Sequence, residues 1–168
     1  VYHYGVEITN DDGTTEKLYD YVMSDLTIHS FGGTKNITFA SNEDGKTVTA
    51  YSIWPNENST KIPASIKVNG ISYKVTAIGN YVNENKKLKA VTIPATVKSI
   101  GKEAFVNAKD LKTITINGNV TKIGANAFKG INKKAVFKIK TASSNYKKIV
   151  SKIKKAGAPK SVTFKIVK

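Results

Sequence analysis

Only His3 and His29 carry side chains whose ordinary pKa lies near neutrality, so acid–base chemistry at that pH would have to pass through one of them. His29 stands four residues after Asp25, a pair that could orient an imidazole. Neither histidine belongs to a nucleophile or metal-ligand motif, however, and His29 and Asp25 read as surface or turn residues. Asn10-Asp11-Asp12-Gly13 opens like a calcium loop but lacks the further spaced acids, so it reads as a turn. Gly32-Gly33 is not followed by the Lys-Ser/Thr pair of a phosphate loop. In the stretch from Lys98 to Phe137 the acids are Glu103 and Asp110, too few for paired-carboxylate hydrolysis, and cysteine is absent throughout. We therefore assign no catalytic residue, no metal set and no cofactor, and read the chain as a non-enzyme.

Charge is the chemistry that remains. Residues 1–60 carry nine acids against three lysines, net −6, while residues 61–168 carry 24 lysines against Glu84, Glu103 and Asp110, net +21. Every one of these cations is Lys. Arginine supplies the bidentate fork that reads base edges, so its absence argues against specific nucleic-acid recognition but not against loose attraction to phosphate. The simplest role for so many lysines is a solvated face that keeps the chain soluble.

The elements that carry these lysines repeat. Val75-Thr76-Ala77-Ile78-Gly79, Val97-Lys98-Ser99-Ile100-Gly101 and Val120-Thr121-Lys122-Ile123-Gly124 place Ile-Gly pairs 22 and 23 residues apart. Ala104-Phe105 is answered by Ala127-Phe128, and Leu88 with Val91 and Ile93 by Leu111 with Ile114 and Ile116. A period in the low twenties is the mark of a solenoid, whose coils cannot bury their apolar faces alone and must stack. Within a unit, the alternation around Ile114 and Ile116 predicts a half-buried strand, and Pro94 should end the strand that holds Ile93. The glycine after each Ile permits close backbone approach or positive φ, and the following residues suit one helical turn, with the Phe inside.

The pattern Ile93-Pro94, Val97, Ile100-Gly101, Ala104-Phe105, Leu111 resembles the BspA-like leucine-rich repeat family, directly over about residues 60–140. The first unit departs from it with Asn80-Tyr81-Val82, and the third with Lys134 in place of Leu, substitutions that suit terminal units. The resemblance implies a secreted or surface-attached protein, often bacterial, engaged in adhesion or other protein binding. The fold expected is a β-rich solenoid, a leucine-rich repeat array with short helical turns, a β-rich N-terminal cap and a C-terminal helix-plus-strand cap.

Along the chain, residues 1–8 alternate as a strand, and residues 14–23 fit both a four-residue step and an alternation and are read as a short helix. Residues 26–30 alternate again, and Phe31-Gly32-Gly33 breaks the run. Residues 36–40 and 47–53 form a hairpin. Residues 1–59 are thus an acidic β-rich cap or a separate minidomain. Residues 60–140 form the solenoid of about three units, with a hairpin inserted at 66–75 around Asn69-Gly70. Residues 141–168 form a Lys-rich closing segment: a helix capped by Ser143 or Ser144, with Tyr146, Ile149, Val150 and Ile153 as its apolar stripe, then a strand. That helix is read as a lid on the last coil, ahead of a basic helix lying on an anionic surface.

These alignments predict a structural core of Ile62, Ile78, Leu88, Ile93, Ile100, Phe105, Leu111, Ile116, Ile123, Phe128 and Ile139. They predict one outward row of Lys61, Thr92, Thr115 and Lys138, and a second led by Lys89, Lys112 and Ala135, as the candidate binding face. Tyr51 and Trp54, just before the array, read as packing residues, with extension of that face as the alternative. The function expected is a noncatalytic binding or adhesion module for a host or cell-surface protein. The alternative is electrostatic attachment to an anionic polymer such as a wall polyanion, a glycosaminoglycan or nonspecific nucleic acid. No apolar run reaches the length of a membrane span, and the chain opens at Val1 rather than Met, which suggests that a signal peptide or upstream segment has been removed. A monomer is expected.

Overall fold

Parallel pairing between equivalent short strands of successive coils is the principal long-range contact of the repeats. In the computed structural model, residues 37–53, 58–68, 70–83 and 87–168 are described in full, and Tyr2–Thr9, Thr15–Val22 and Phe31–Gly32 by their backbone course. The expectations for residues 10–13 and 26–30, for His29 and for Trp54 lie outside the described residues, as does the His3 side chain.

The elements in chain order are β1 (Tyr2–Thr9), β2 (Thr15–Val22), β3 (Phe31–Gly32), β4 (Ile37–Ser41), β5 (Thr47–Ile53), β6 (Ser59–Lys61), β7 (Ser65–Val68), β8 (Ile71–Ile78), β9 (Ala90–Ile93), β10 (Ser99–Ile100), β11 (Thr113–Asn117), β12 (Lys122–Ile123), β13 (Val136–Lys140), α1 (Ser143–Lys155) and β14 (Thr163–Ile166). They form two sheets. The first has the order β14-β13-β11-β9-β6, parallel throughout, and the second runs β2-β1-β7-β8-β5-β4-β3, with β10 and β12 added in parallel beside β8.

In the first sheet Ile93, Ile116 and Ile139 are direct partners, and the Ile62 amide donates to the Thr92 carbonyl at 3.0 Å, continuing the same row. All four isoleucines are fully buried. In the second sheet Ile78, Ile100 and Ile123 are partners, and the glycine after each isoleucine of this row makes the next rung. Gly79, Gly101 and Gly124 donate to Ala50, Ile78 and Ile100 carbonyls, each at 2.8 Å. A Cβ on Gly101 would lie 2.5 Å from the Asn80 nitrogen, and one on Gly124 2.4 Å from the Lys102 nitrogen. Close approach between coils, rather than positive φ, is what requires glycine at these two positions.

Between the sheets run the phenylalanines. Phe105 stacks on Phe128 at 5.8 Å, Phe128 meets Phe137 edge-on at 5.1 Å, and Phe137 stacks on Phe164 at 5.2 Å. Such pairs contribute about 0.5–1.5 kcal/mol each beyond the area they bury. Asn83 stands at the Phe position of the first unit, since its amide bonds the Ala104 carbonyl just as that of Phe105 bonds Ala127.

Several expectations are corrected. Residues 14–23 contain a strand, β2, because antiparallel pairing along the whole of β1 outweighs the four-residue apolar step. Phe31-Gly32 continues a ladder by pairing with β4 rather than breaking it. The segments after Gly101 and Gly124 are turns, not helix. Glu103 and Asn126 have φ of 54° and 57°, and the amides of Glu103, Phe105 and Asn107 bond the carbonyls of Ala125, Ala127 and Lys129 in the next coil, so no helical ladder can form. Helix α1 is preceded by Ala142 at the N-cap with no side-chain bond, so neither Ser143 nor Ser144 caps it. The inserted hairpin has Val68 opposite Ile71, with Gly70 at φ 80°.

Candidate binding face

Alternation along β9, β11 and β13 separates the side chains that fill the interior from those that leave it. On the outer side, Lys61, Thr92, Thr115 and Lys138 are successive partners across β6, β9, β11 and β13, and Lys165 of β14 extends the row by pairing with Lys138. With about 4.8 Å between strands, these five positions span roughly 19 Å. Lys61, Lys138 and Lys165 are exposed, Thr92 and Thr115 half-buried, and Lys61 also has an interaction within the chain. On one flank the Lys112 amide bonds the Lys89 carbonyl at 2.8 Å, and both side chains are exposed. Ala135, the third residue expected in that row, is instead fully buried while Lys134 faces solvent. In this coil the apolar position is shifted by one residue, so that a methyl group rather than a lysine enters the interior.

Of the residues expected in the core, Ile62, Leu88, Ile93, Phe105, Leu111, Ile116, Phe128 and Ile139 are fully buried and Ile78 and Ile100 nearly so. Ile123 differs: it is half-buried, because β12 ends its side of the second sheet and α1 covers it only in part. Tyr51, read as a packing residue, is 59% exposed.

Two features were missed in the sequence. A groove of about 480 Å³ lies beyond the ends of β9 and β11, lined by Ala64, Pro94, Ala95, Thr96, Asn117, Gly118 and Lys140. Gly118, at φ 115°, would bring a Cβ to 2.8 Å from the Ala95 Cα, and Asn117-Gly118 was the dipeptide signal for it. The second is Lys165, whose place follows once residues 161–168 are aligned with the strand of the preceding coil.

Electrostatically the face is one-sided. After Asp110 the sequence holds fifteen lysines and no acid. Exposed Lys102 lies 3.8 Å from half-buried Glu103, a long ion pair of little energetic weight. Asp44 has its carboxyl pKa lowered, first by the Lys46 amide and then by Thr47, in the turn between β4 and β5 and away from the face. Among the described residues no three His, Asp or Glu side chains converge as metal ligands, and no helix is long and apolar enough to cross a membrane.

The profile of the BspA type leucine rich repeat region, six copies, matches residues 22–130 and 76–163. Among solved structures, the chain is similar to a leucine rich cell surface protein from Faecalibacterium prausnitzii A2-165, with 24% identity and a TM-score of 0.54 over 82% of this chain and 42% of that one. It also matches leucine-rich repeat proteins from Bacteroides capillosus ATCC 29799 (24% identity, TM-score 0.45, 83% of this chain and 88% of that one) and Bacteroides ovatus ATCC 8483 (22%, 0.49, 88% and 37%). The likeness of fold rests on the first of these. The chain spans less than half the length of the Faecalibacterium and Bacteroides ovatus proteins. Comparison with curated proteins finds no match.

Proposed function

The chain belongs to the BspA type leucine-rich repeat family, and on that premise we propose that it is a noncatalytic binding or adhesion module, secreted or displayed at a cell surface. In this reading the repeats form a solenoid closed at its N-terminal end by the acidic strands and at its C-terminal end by α1 and β14. Its partner is a host or cell-surface protein that meets the outer row of the first sheet. One observation carries the proposal: Lys61, Thr92, Thr115, Lys138 and Lys165 stand in direct register on five consecutive strands, and the sequence neighbours of the first four are buried behind them. A regular polar row on a rigid ladder is a surface for docking, and it holds no acid–base pair that would do chemistry.

These rows carry none of the Trp, Tyr or Arg anchors that dominate tight interfaces, so a single copy should bind weakly and gain avidity from several copies acting together. The test replaces Lys89, Lys112 and Lys138 with Gln and measures adhesion to immobilised matrix proteins at physiological salt. Adhesion should fall several-fold, while stability changes by no more than about 0.5 kcal/mol, as for surface substitutions generally. Adhesion equal to that of the parent chain would remove the ladder face as the site.

A further inference from the structure

The last 28 residues, 141–168, carry eight lysines and no acid. They fold as α1 and β14, which close the same end of the molecule: β14 pairs with β13, and the Phe128 amide bonds the Ala156 carbonyl at the end of α1. Lys147, Lys148, Lys154, Lys155, Lys160, Lys165 and Lys168 are all exposed here, and the preceding coil adds exposed Lys129, Lys133, Lys134, Lys138 and Lys140. A surface that had only to be soluble would intersperse both signs, because a block of one sign repels itself and destabilises the compact state. Nine of the twelve acids belong to residues 1–60 of the sequence. This end therefore has no counter-charge of its own.

We propose that the C-terminal end, α1 with β14, is a docking face for a linear, base-free chain of closely spaced phosphates, of the inorganic polyphosphate kind. The apolar side of α1 is committed inward, with Ile149 and Ile153 fully buried and Ala156 nearly so, and what remains, half-buried Tyr146 and Val150 on the helix and exposed Ile166 and Val167 at the end of β14, makes no continuous stripe to insert into a lipid surface. The chain has no Arg to read base edges, and the aromatics at this end, Tyr146 and Phe164, are half-buried and do not form a platform for stacked bases. What is offered is a set of mobile point charges. Beside them runs an open groove of about 380 Å³ along α1, lined by half-buried Tyr146 and Val150 and by exposed Lys147, Ser151, Lys154 and Lys155. Lys154 is held at 5.7 Å from the Phe164 ring centroid, which ties the lining of the groove to β14. A thin, flexible phosphate chain fits such a groove better than a folded protein.

The inference does not depend on a protein partner at the ladder, and its test uses none. The full chain is titrated with inorganic polyphosphate at several salt concentrations, beside single-stranded DNA and anionic vesicles at equal phosphate. Binding of polyphosphate should weaken steeply with salt. The variant Lys147→Gln, Lys148→Gln, Lys155→Gln, Lys160→Gln should bind at least tenfold more weakly at low salt. Its slope of log affinity against log salt should be shallower by about three, from ~0.7 per lost phosphate contact. Lys46→Gln with Lys74→Gln, two exposed lysines outside this end, should leave both quantities unchanged. The proposal is overturned by salt-indifferent binding, or by equal loss in the two variants. It also fails if DNA or vesicles are preferred, or if copies associate head to tail at low salt through the acidic end, which would make a second chain the missing counter-charge.

Discussion

Gly101 and Gly124 show how a single missing Cβ sets the spacing of the coils. Neither has positive φ, yet each lies where an added carbon would overlap the backbone of the preceding coil, at 2.5 Å and 2.4 Å. Overpacking of this kind costs about 1–3 kcal/mol, and here the obstructing atoms are main chain and cannot rotate away. Gly101→Ala should therefore lower the urea midpoint by at least that equivalent, and a midpoint unmoved by the methyl group would show that the coils do not approach so closely. Residues of this kind were legible, because a glycine at a fixed place in a repeat has few physical reasons to be there. The same holds for the isoleucines and phenylalanines, whose spacing alone put them inside. Asn83, Ile123 and Ala135 were not legible. Their burial depends on which coil is last, on what closes it and on a one-residue shift, none of which appears in the local pattern.

Elements were readable where neighbours in sequence are also neighbours in the sheet, as in the hairpin of β7 and β8 across Asn69-Gly70. They were misread where the partner lies far along the chain. Residues 14–23 carry an apolar step that suits a helix, and pairing with β1 decides for strand. The turns after Gly101 and Gly124 have the composition of helix, and their amides are taken by the next coil instead. Helix α1 illustrates the reverse, an element foreseen with its start misplaced. Its N-cap is Ala142, with extended φ −61° and ψ 144°, no side-chain bond to the first turn and no acid within that turn. An Asp there would accept an orphan amide and place a negative charge at the positive end of the helix dipole. Ala142→Asp should stabilise the chain by about 1 kcal/mol, read as a higher midpoint in thermal unfolding followed by circular dichroism. A lower midpoint would mean that the helix start is held by contacts that the new carboxylate disrupts.

At the scale of the molecule, charge is distributed unevenly along the chain, and this distribution makes stability depend on salt in a definite sense. Acids are concentrated in residues 1–60, whereas residues 111–168 hold fifteen lysines and no acid. Attraction between distant segments is screened beyond a Debye length of about 8 Å at physiological ionic strength. Lysines on adjacent strands, such as Lys138 and Lys165, stand on backbones only about 4.8 Å apart, and because Coulomb energy falls with distance their repulsion outweighs the attraction of more distant acids at low salt as well. Unfolding separates these like charges and relieves the repulsion, which means that the folded state gains when salt screens it. The melting temperature should therefore rise between about 10 mM and 200 mM sodium chloride, a range over which the Debye length falls from about 30 Å to below 8 Å. For a chain of this size each kcal/mol recovered corresponds to about 2–4 °C. Replacing Lys147, Lys148, Lys155 and Lys160 with Gln should raise the low-salt melting temperature and flatten its dependence on salt, since those charges are then absent from the start. A melting temperature that falls as salt is added would mean that attractive pairs dominate, and the C-terminal end would then already possess the counter-charge that its sequence lacks.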